Sequence, residues 1–218
     1  LYPGISISST LANRDLTWEK TSQYDFGIDA TFLGNKLTFG FDYFHKETRD
    51  ILLKLPIPYT LGVGAPMQNA GKVRNTGFEV SLNTVNIQGP LQWETGIVYT
   101  YNRNKIKSLN SDVPYYINQV NNSYVTMLAN NLPINVFYGY VTDGIFQNEI
   151  EVANHATQQG ANVGDCLYKD ISGPDGTPDG VIDAYDQTVL GSGLPKVNFG
   201  LSAHMEYKNF DLSISTYG

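Results

Sequence analysis

Cysteine is nearly absent: Cys166 stands alone, so no disulfide can form within the chain. Charge is scarce as well. Asp, Glu, Lys and Arg make up 16% of the 218 residues, against about 25% in a typical soluble domain. The formal net charge is −7 and no basic run occurs, which argues against a nucleic-acid partner. No apolar run reaches the roughly 18 residues of a membrane-crossing helix, and no signal peptide opens the chain. The three histidines, His45, His155 and His204, lie on three separate segments, and no Gly-x-Ser-x-Gly is present. No catalytic constellation and no cofactor-binding motif emerges, so an enzyme is not expected. The chain begins at Leu1 without Met and stops at Gly218 inside an alternating segment, which reads as part of something larger.

What is present is alternation. Six segments, 24–32, 37–45, 78–84, 91–101, 197–207 and 210–216, alternate apolar and polar with a period of two, the signature of strands. Along one face run Tyr24, Phe26, Ile28, Leu37, Phe39, Phe41, Phe78, Val80, Leu82, Trp93, Ile97, Tyr99, Phe199, Leu201, Phe210, Leu212 and their like. Of its 30 positions 26 are apolar or aromatic, and none is Asp, Glu, Lys or Arg. The opposite face has 24 positions, of which only Phe44 and Val98 are apolar. It carries small residues, amides and the carboxylates Asp25, Asp29, Asp42, Glu79, Glu94, Glu206 and Asp211.

A soluble sandwich also alternates. Two features favour a membrane barrel. Tight turns at Gly34-Asn35, Gln88 to Pro90 and Lys208-Asn209 interleave with long connections at 53–72 and 108–195, as in outer-membrane barrels. The polar face also lacks the lysines of a soluble sheet, which suits a lumen. Aromatic residues gather near the strand ends, Trp18, Tyr24, Tyr43, Trp93, Tyr99, Tyr101, Tyr207 and Phe210, where a membrane interface would satisfy ring and polar tip together. The expected fold is all-β: an antiparallel up-and-down sheet, part of a large transmembrane β-barrel, with one long extracellular loop containing a short helix. The strands are placed at about 18–33, 36–52, 73–87, 91–107, 196–207 and 210–218 of a single barrel domain, 1–218. The stretch 53–72, with Pro56, Pro58, Gly62, Gly64 and Pro66, reads as loop. In the loop 108–195, Asn148 and Glu151 predict a helix start and Gly160 its stop, giving a helix at about 149–159. Residues 137–141 read as a short strand, and no further spanning strand is expected.

The densest run of carboxylates is Lys169 to Asp186. Counted from Asp175, the residues Asp175, Thr177, Asp179, Val181 (by its carbonyl), Asp183 and Asp186 fall at positions 1, 3, 5, 7, 9 and 12 of a calcium loop, with Gly180 at the sharp turn. Asp replaces the usual Glu at the last position and no helices flank the run. The stretch is therefore read two ways: a Ca2+ loop that stiffens the connection, or an acidic surface turn. Tyr115, Tyr116, Tyr138 and Tyr140 could stack on sugar rings, pack the loop on itself, or meet a partner.

Four ordered blocks carry a resemblance: Asp15-Leu16-Thr17-Trp18-Glu19-Lys20-Thr21, Gly71-Lys72-Val73-Arg74-Asn75-Thr76-Gly77-Phe78-Glu79, Tyr138-Gly139-Tyr140-Val141-Thr142-Asp143-Gly144-Ile145-Phe146-Gln147 and Gly191-Ser192-Gly193-Leu194-Pro195-Lys196. With them the chain resembles, over nearly its whole length, the later barrel of the SusC/RagA-like TonB-linked outer-membrane proteins of the Bacteroidetes. That family usually carries Asp-x-Asn-Gly-Asp-Gly in the acidic loop. Here an insertion after Asp170 moves the first ligand position to Asp175. The resemblance implies a barrel of roughly 22 strands with a plugged lumen. It also implies an upstream segment that contacts TonB, a SusD-like lipoprotein partner, and import of glycans, oligosaccharides or peptides across outer-membrane lipid. The alternative from the residues alone is a soluble calcium-stiffened β-sandwich, a binding or adhesion module.

Overall fold

A computed structural model describes residues 12–218 apart from 56, 58 and 122. Pro56 and Pro58, read as loop punctuation, lie outside the described residues, as do residues 1–11 of the expected domain. The chain divides into two compact units, Leu1–Val113 with Ala129–Ile134 and Leu194–Gly218, and Pro114–Leu128 with Asn135–Gly193.

The first unit is built on one six-stranded sheet. Its strands are β1 (Lys20–Phe32), β2 (Leu37–Arg49), β3 (Gly71–Ile87), β4 (Leu91–Leu109), β5 (Val197–Tyr207) and β6 (Phe210–Tyr217). They lie side by side in chain order, and every neighbouring pair is antiparallel. β1 and β6 form the two edges of this sheet. The tight turns all fall at one end. Phe32 pairs with Leu37 across a link in which Leu33, Gly34 and Asn35 have φ of 54°, 65° and 71°. Tyr207 pairs with Phe210 across Lys208-Asn209, where Lys208 has φ 55°.

The register sets like against like. One row reads Ala30, Phe39, Leu82, Ile97, Leu201, Thr216 across all six strands. Another reads Phe26, Tyr43, Phe78, Tyr101, Val197. Apolar cross-strand pairs stabilise a sheet by about 0.2–1 kcal/mol each, and rings reinforce the rows: Phe78 lies 6.2 Å from Phe41 and 5.7 Å from Tyr101, centroid to centroid. This apolar face is bare. Phe26 is 59% exposed, Leu212 53% and Ile214 54%. In a sandwich these side chains would form the buried core, so the soluble-sandwich alternative is excluded.

The buried core of this unit sits at the end away from the tight turns, in Ile51, Leu55, Ala70, Val73, Ile106 and Leu109. Val73 pairs directly with Ile106. By alternation both stand on the face that is polar further down, so that face turns apolar where the loops cover it. This core explains where the strand ends differ from expectation. Asp50 adopts φ 57° and ends β2 at Arg49, short of 52. β3 starts at Gly71 and β4 runs to Leu109, two residues further each way, because Gly71 pairs with Leu109 past an irregularity in register. Stretch 53–72 is not plain loop. Leu52–Lys54 pairs with Met67–Asn69, with a 3-10 turn at Tyr59–Leu61 between. Asn69 Nδ2 donates to the carbonyls of Thr17 and Asp50, and the Leu52 N–H donates to Glu19 Oε1. Such long-range side-chain anchors leave no local sequence signal.

Beyond Tyr101, where β5 stops pairing, residues 129–134 cover the edge of β4. The Ile106 N–H donates to the Leu132 carbonyl at 2.8 Å and the Asn131 N–H to the Ile106 carbonyl at 2.9 Å.

The second unit holds most of the long connection. Its four-stranded antiparallel sheet runs Gln187–Ser192, Val136–Tyr140, Ser123–Leu128, Tyr115–Val120, so the strand read at 137–141 is present. The helix spans Glu149–Asn154, not 149–159. Asn148 caps it, accepting from the Glu151 N–H at 2.9 Å, while Glu151 returns to the Gln147 N–H. It ends early because Thr157 leaves for a parallel pairing with Val181, its N–H donating to the Gly180 carbonyl at 2.7 Å.

The facing of the sheet sets a paired expectation. Leu201→Arg in the full-length protein should cost roughly 2–4 kcal/mol of folding free energy in a bilayer. Ser202→Asn, one residue on and facing the other way, should be nearly neutral. Urea titration of the two variants in the same vesicles measures both, and equal costs would overturn the facing.

Candidate functional site

The polar face of the six-stranded sheet is the first candidate. Its rows place small residues against carboxylates: Gly27 opposite Asp42, Asp29 opposite Gly40. A Cβ at Gly27 would collide with Asp42 Oδ1, and one at Gly40 would stand 3.1 Å from Asp29 Oδ1. The glycines therefore make room for carboxylates on a crowded pleat. Asp42 and Glu79 are direct cross-strand neighbours, both exposed. Like charges in that position disfavour a sheet, and a water-filled conduit tolerates them. Glu94 lies opposite His204, and Glu206 opposite Asp211. Asp25 accepts from Gln23 Nε2 at 3.0 and 2.9 Å. A groove of about 340 Å³ at the tight-turn end is lined by Asn83, Glu94, Ser202, His204 and Ser213 among others, and His204 Nδ1 lies 2.9 Å from Ser213 Oγ.

This wall can hydrogen-bond a passing polar solute, and the two carboxylate pairs that strand spacing alone suggests as glycosidase acids, Asp25 with Asp29 and Glu79 with Glu94, are held apart. Asp25 and Asp29 are four residues apart on one strand, roughly 13 Å at the strand rise. Glu79 pairs with Thr100, six residues along β4 from Glu94, which is roughly 20 Å. Both separations exceed the roughly 5–9.5 Å that a glycosidase pair needs.

In the second unit the tyrosines sort into two groups. Tyr116 packs on Tyr138 at 5.0 Å and on Tyr124 at 6.0 Å. With Ser123, Ala184 and Gln187 these line a cleft of about 400 Å³. Tyr140 instead stacks on Tyr168 at 5.0 Å, and Tyr115 pairs with Leu128. Tyr124 and Tyr168 were not singled out from the sequence, because the strands that carry them meet only through tertiary pairing. Burial first, and then the neighbouring Tyr116, pushes the Tyr138 phenol up to about 12, so it remains a hydrogen-bond donor at neutral pH.

The acidic run is held chiefly by its own amides. Asp186 is fully buried. Its Oδ1 accepts from the N–H of Ile171 at 2.8 Å and of Ser172 at 3.1 Å, and its Oδ2 from the N–H of Asp183 at 2.9 Å. Burial pushes this carboxyl up, but the N–H groups of Asp183, Ile171 and Ser172 outweigh it and hold its pKa below the usual carboxylate range. Asp183 caps the Tyr185 N–H, Asp179 the Val181 N–H, and Asp170 takes those of Asp179 and Gly180. Asp175 and Thr177 are exposed. Among the described residues no group of three or more His, Cys, Asp or Glu side chains is gathered as a metal site. The structural role of Asp170 and the buried clamp at Asp186 were not foreseen, since burial cannot be read from spacing.

Residues 1–214 match the family described as TonB dependent receptor-like, beta-barrel. The chain belongs to that family. TonB-dependent receptors are outer-membrane β-barrels and transporters, not enzymes, so the exposed apolar face meets lipid and the polar face lines the lumen. The chain is similar to the TonB-dependent receptor SusC of Bacteroides thetaiotaomicron, at 31% identity over 215 residues, 93% of this chain and 19% of that protein. It is 30% identical over 214 residues to TonB-dependent receptor P3 of Formosa agariphila, covering 95% of this chain and 21% of that one. Among solved structures it matches the RagAB peptide transporter with a TM-score of 0.78 and 27% identity, over 97% of this chain and 22% of that chain. The open-open state of the RagAB peptide importer gives a TM-score of 0.73 at the same identity, over 97% of this chain and 21% of that chain. The chain thus spans about a fifth of the relatives it matches, and it is a SusC/RagA-like barrel segment.

The Asp186 clamp yields a pH expectation. A carboxyl whose folded pKa is lowered contributes stability that is present above its unfolded pKa and lost as pH falls through the folded value. Asp186→Asn should remove that contribution, at about 1–3 kcal/mol for the amides left without an acceptor. In the full-length receptor, hydrogen exchange at Ile171, Ser172 and Asp183 should speed up in the variant at neutral pH. The wild type should match it only in strong acid.

Proposed function

We propose that this chain is wall and loop of a SusC-like TonB-dependent transporter, which imports oligosaccharides or peptides together with a SusD-like lipoprotein and draws energy through TonB. The observation that carries the reading is the register of the six strands, which separates an exposed apolar face from a face of carboxylates, amides and hydroxyls. A polar conduit of that composition suits bulky hydrophilic cargo, glycan or peptide alike, because both present many donors and acceptors. The likeness to SusC and to the RagAB peptide transporter supports the class and leaves both cargoes in play. The Tyr116–Tyr124–Tyr138 cleft offers ring faces on which a pyranose or a peptide side chain can bury.

Calcium binding by Asp175, Thr177, Asp179, Val181, Asp183 and Asp186 is a separate proposal. Three of the roughly four acceptor sites of the Asp186 carboxylate already hold N–H groups, so an ion would have to take the outer oxygens or displace an amide. A calcium titration of the full-length receptor, followed by thermal melting, decides it: a rise in Tm supports the ion.

Deleting the full-length receptor should abolish growth on one class of polymer, polysaccharide or protein, and leave growth on its monomers intact. Affinity purification of the intact receptor should bring down a lipoprotein in stoichiometric amount. Unchanged growth on every polymer, with no lipoprotein recovered, would overturn the transporter reading.

A further inference from the structure

Above the aromatic row the lipid-facing side of the sheet changes character. The row Tyr43, Phe78, Tyr101 is followed by His45, Thr76, Arg103, and then by Glu47, Arg74, Lys105. Next come Arg49 and Lys72, with Lys107 at the register irregularity of β4. Seven cations, Lys20, Arg49, Lys72, Arg74, Arg103, Lys105 and Lys107, stand here in a chain whose net charge is −7, with Glu47 among them and Asp50 beside Lys20 at 3.7 Å. Glu47 is 8% exposed and already engaged by Arg49 at 3.1 Å, Lys72 at 2.8 Å and Arg74 at 3.0 Å. It holds Arg49, Lys72 and Arg74 and leaves Arg103, Lys105 and Lys107 uncompensated. Arg74, Thr76, Arg103, Lys105 and Lys107 line a cleft of about 270 Å³. Among the described residues Arg103, Lys105 and Lys107 have no salt-bridge partner, and Arg74 Nε is a buried donor without an acceptor. Apart from the Thr76 hydroxyl, the cleft offers side-chain donors and no acceptor, so its ligand is an anion with several oxygens.

Position narrows the ligand to a lipid. Rows on one face are two residues apart, which at a strand tilt of about 45° is roughly 5 Å of height per row. Arg103 therefore stands roughly 5 Å and Lys105 roughly 10 Å above the aromatic row, within the headgroup layer that flanks the hydrocarbon core. We propose that this cleft binds the phosphorylated headgroup of an outer-leaflet lipid, with acyl chains lying along Phe41, Phe78 and Tyr99 below it. Phosphate oxygens accept from guanidinium and ammonium groups together, and the rings beneath supply the apolar neighbour. The inference rests on the outer-membrane barrel and not on the cargo, so it stands or falls apart from the import reading.

The test uses the full-length receptor in detergent micelles, titrated with lipid A carrying both phosphates or neither, with retained lipid read by native mass spectrometry. Phosphorylated lipid A should bind at least about tenfold tighter than the stripped form. The triple variant R103Q/K105Q/K107Q should lose that preference. Lys46→Gln, on the lumen face of the same region, should keep it. Heat-modifiable gel mobility reports folding, and Lys105→Gln alone replaces the triple variant if the latter does not fold. Equal retention of both lipids, or a triple variant that binds like wild type, overturns the proposal. So does full competition by millimolar inorganic phosphate, which would make the cleft a site for free anion. Loss of lipoprotein capture with lipid retention unchanged would assign the cleft to a protein partner and likewise overturn it.

Discussion

A single cross-strand register runs through all six long strands, and the rest of the structure depends on it. Side chains on a strand alternate with a period of two, so a slip of one residue anywhere would exchange lipid face and lumen face for every strand beyond it. The tight turns guard against that slip. The link from Phe32 to Leu37 contains three consecutive residues in the left-handed region, and the two-residue link at Lys208-Asn209 holds Tyr207 against Phe210. With register held, backbone donors and acceptors are satisfied between strands, which is the condition for chain to cross hydrocarbon at all.

Once the faces are separated, each can be specialised along its length. The outward face passes from apolar to aromatic to basic as it climbs from the tight turns, following the change from hydrocarbon to headgroup. The inward face does the reverse: polar and crowded with carboxylates opposite glycines along the wall, apolar at Val73 and Ile106 where loop residues cover it. The long connection solves a different problem. It builds its own small sheet, packs Phe146 at 1% exposure, and ties the acidic run through one buried carboxylate.

The long strands were legible because alternation over seven or more residues leaves one arrangement that segregates the faces. The cap at Asn148 was legible for a similar reason, since the bond it makes lies within three residues. Legibility stopped where partners are distant. The end of the helix was set by Gly180, the pairing of Leu52–Lys54 by Asn69 with Thr17 and Asp50, and the fate of Asp186 by Ile171 and Ser172. The spacing of the acidic run invited a metal, but spacing does not show which oxygens are already taken by amides.

Taken by itself, the amino-acid sequence determined that the chain makes an all-β antiparallel meander with one lipid-suited and one water-suited face. Its four motif blocks carried the likeness to SusC and RagA. Both are properties of local order along the chain, and they survive without coordinates. The tertiary structure alone decided which residues meet across strands: that Arg74, Arg103, Lys105 and Lys107, on two different strands, gather in one cleft in a chain without a basic run, that Tyr116 finds Tyr124 and Tyr138, and that Asp186 is buried. The physical reason is the same in each case. Charge density, ring contact and desolvation depend on distances between side chains far apart in sequence, and only strand pairing sets those distances.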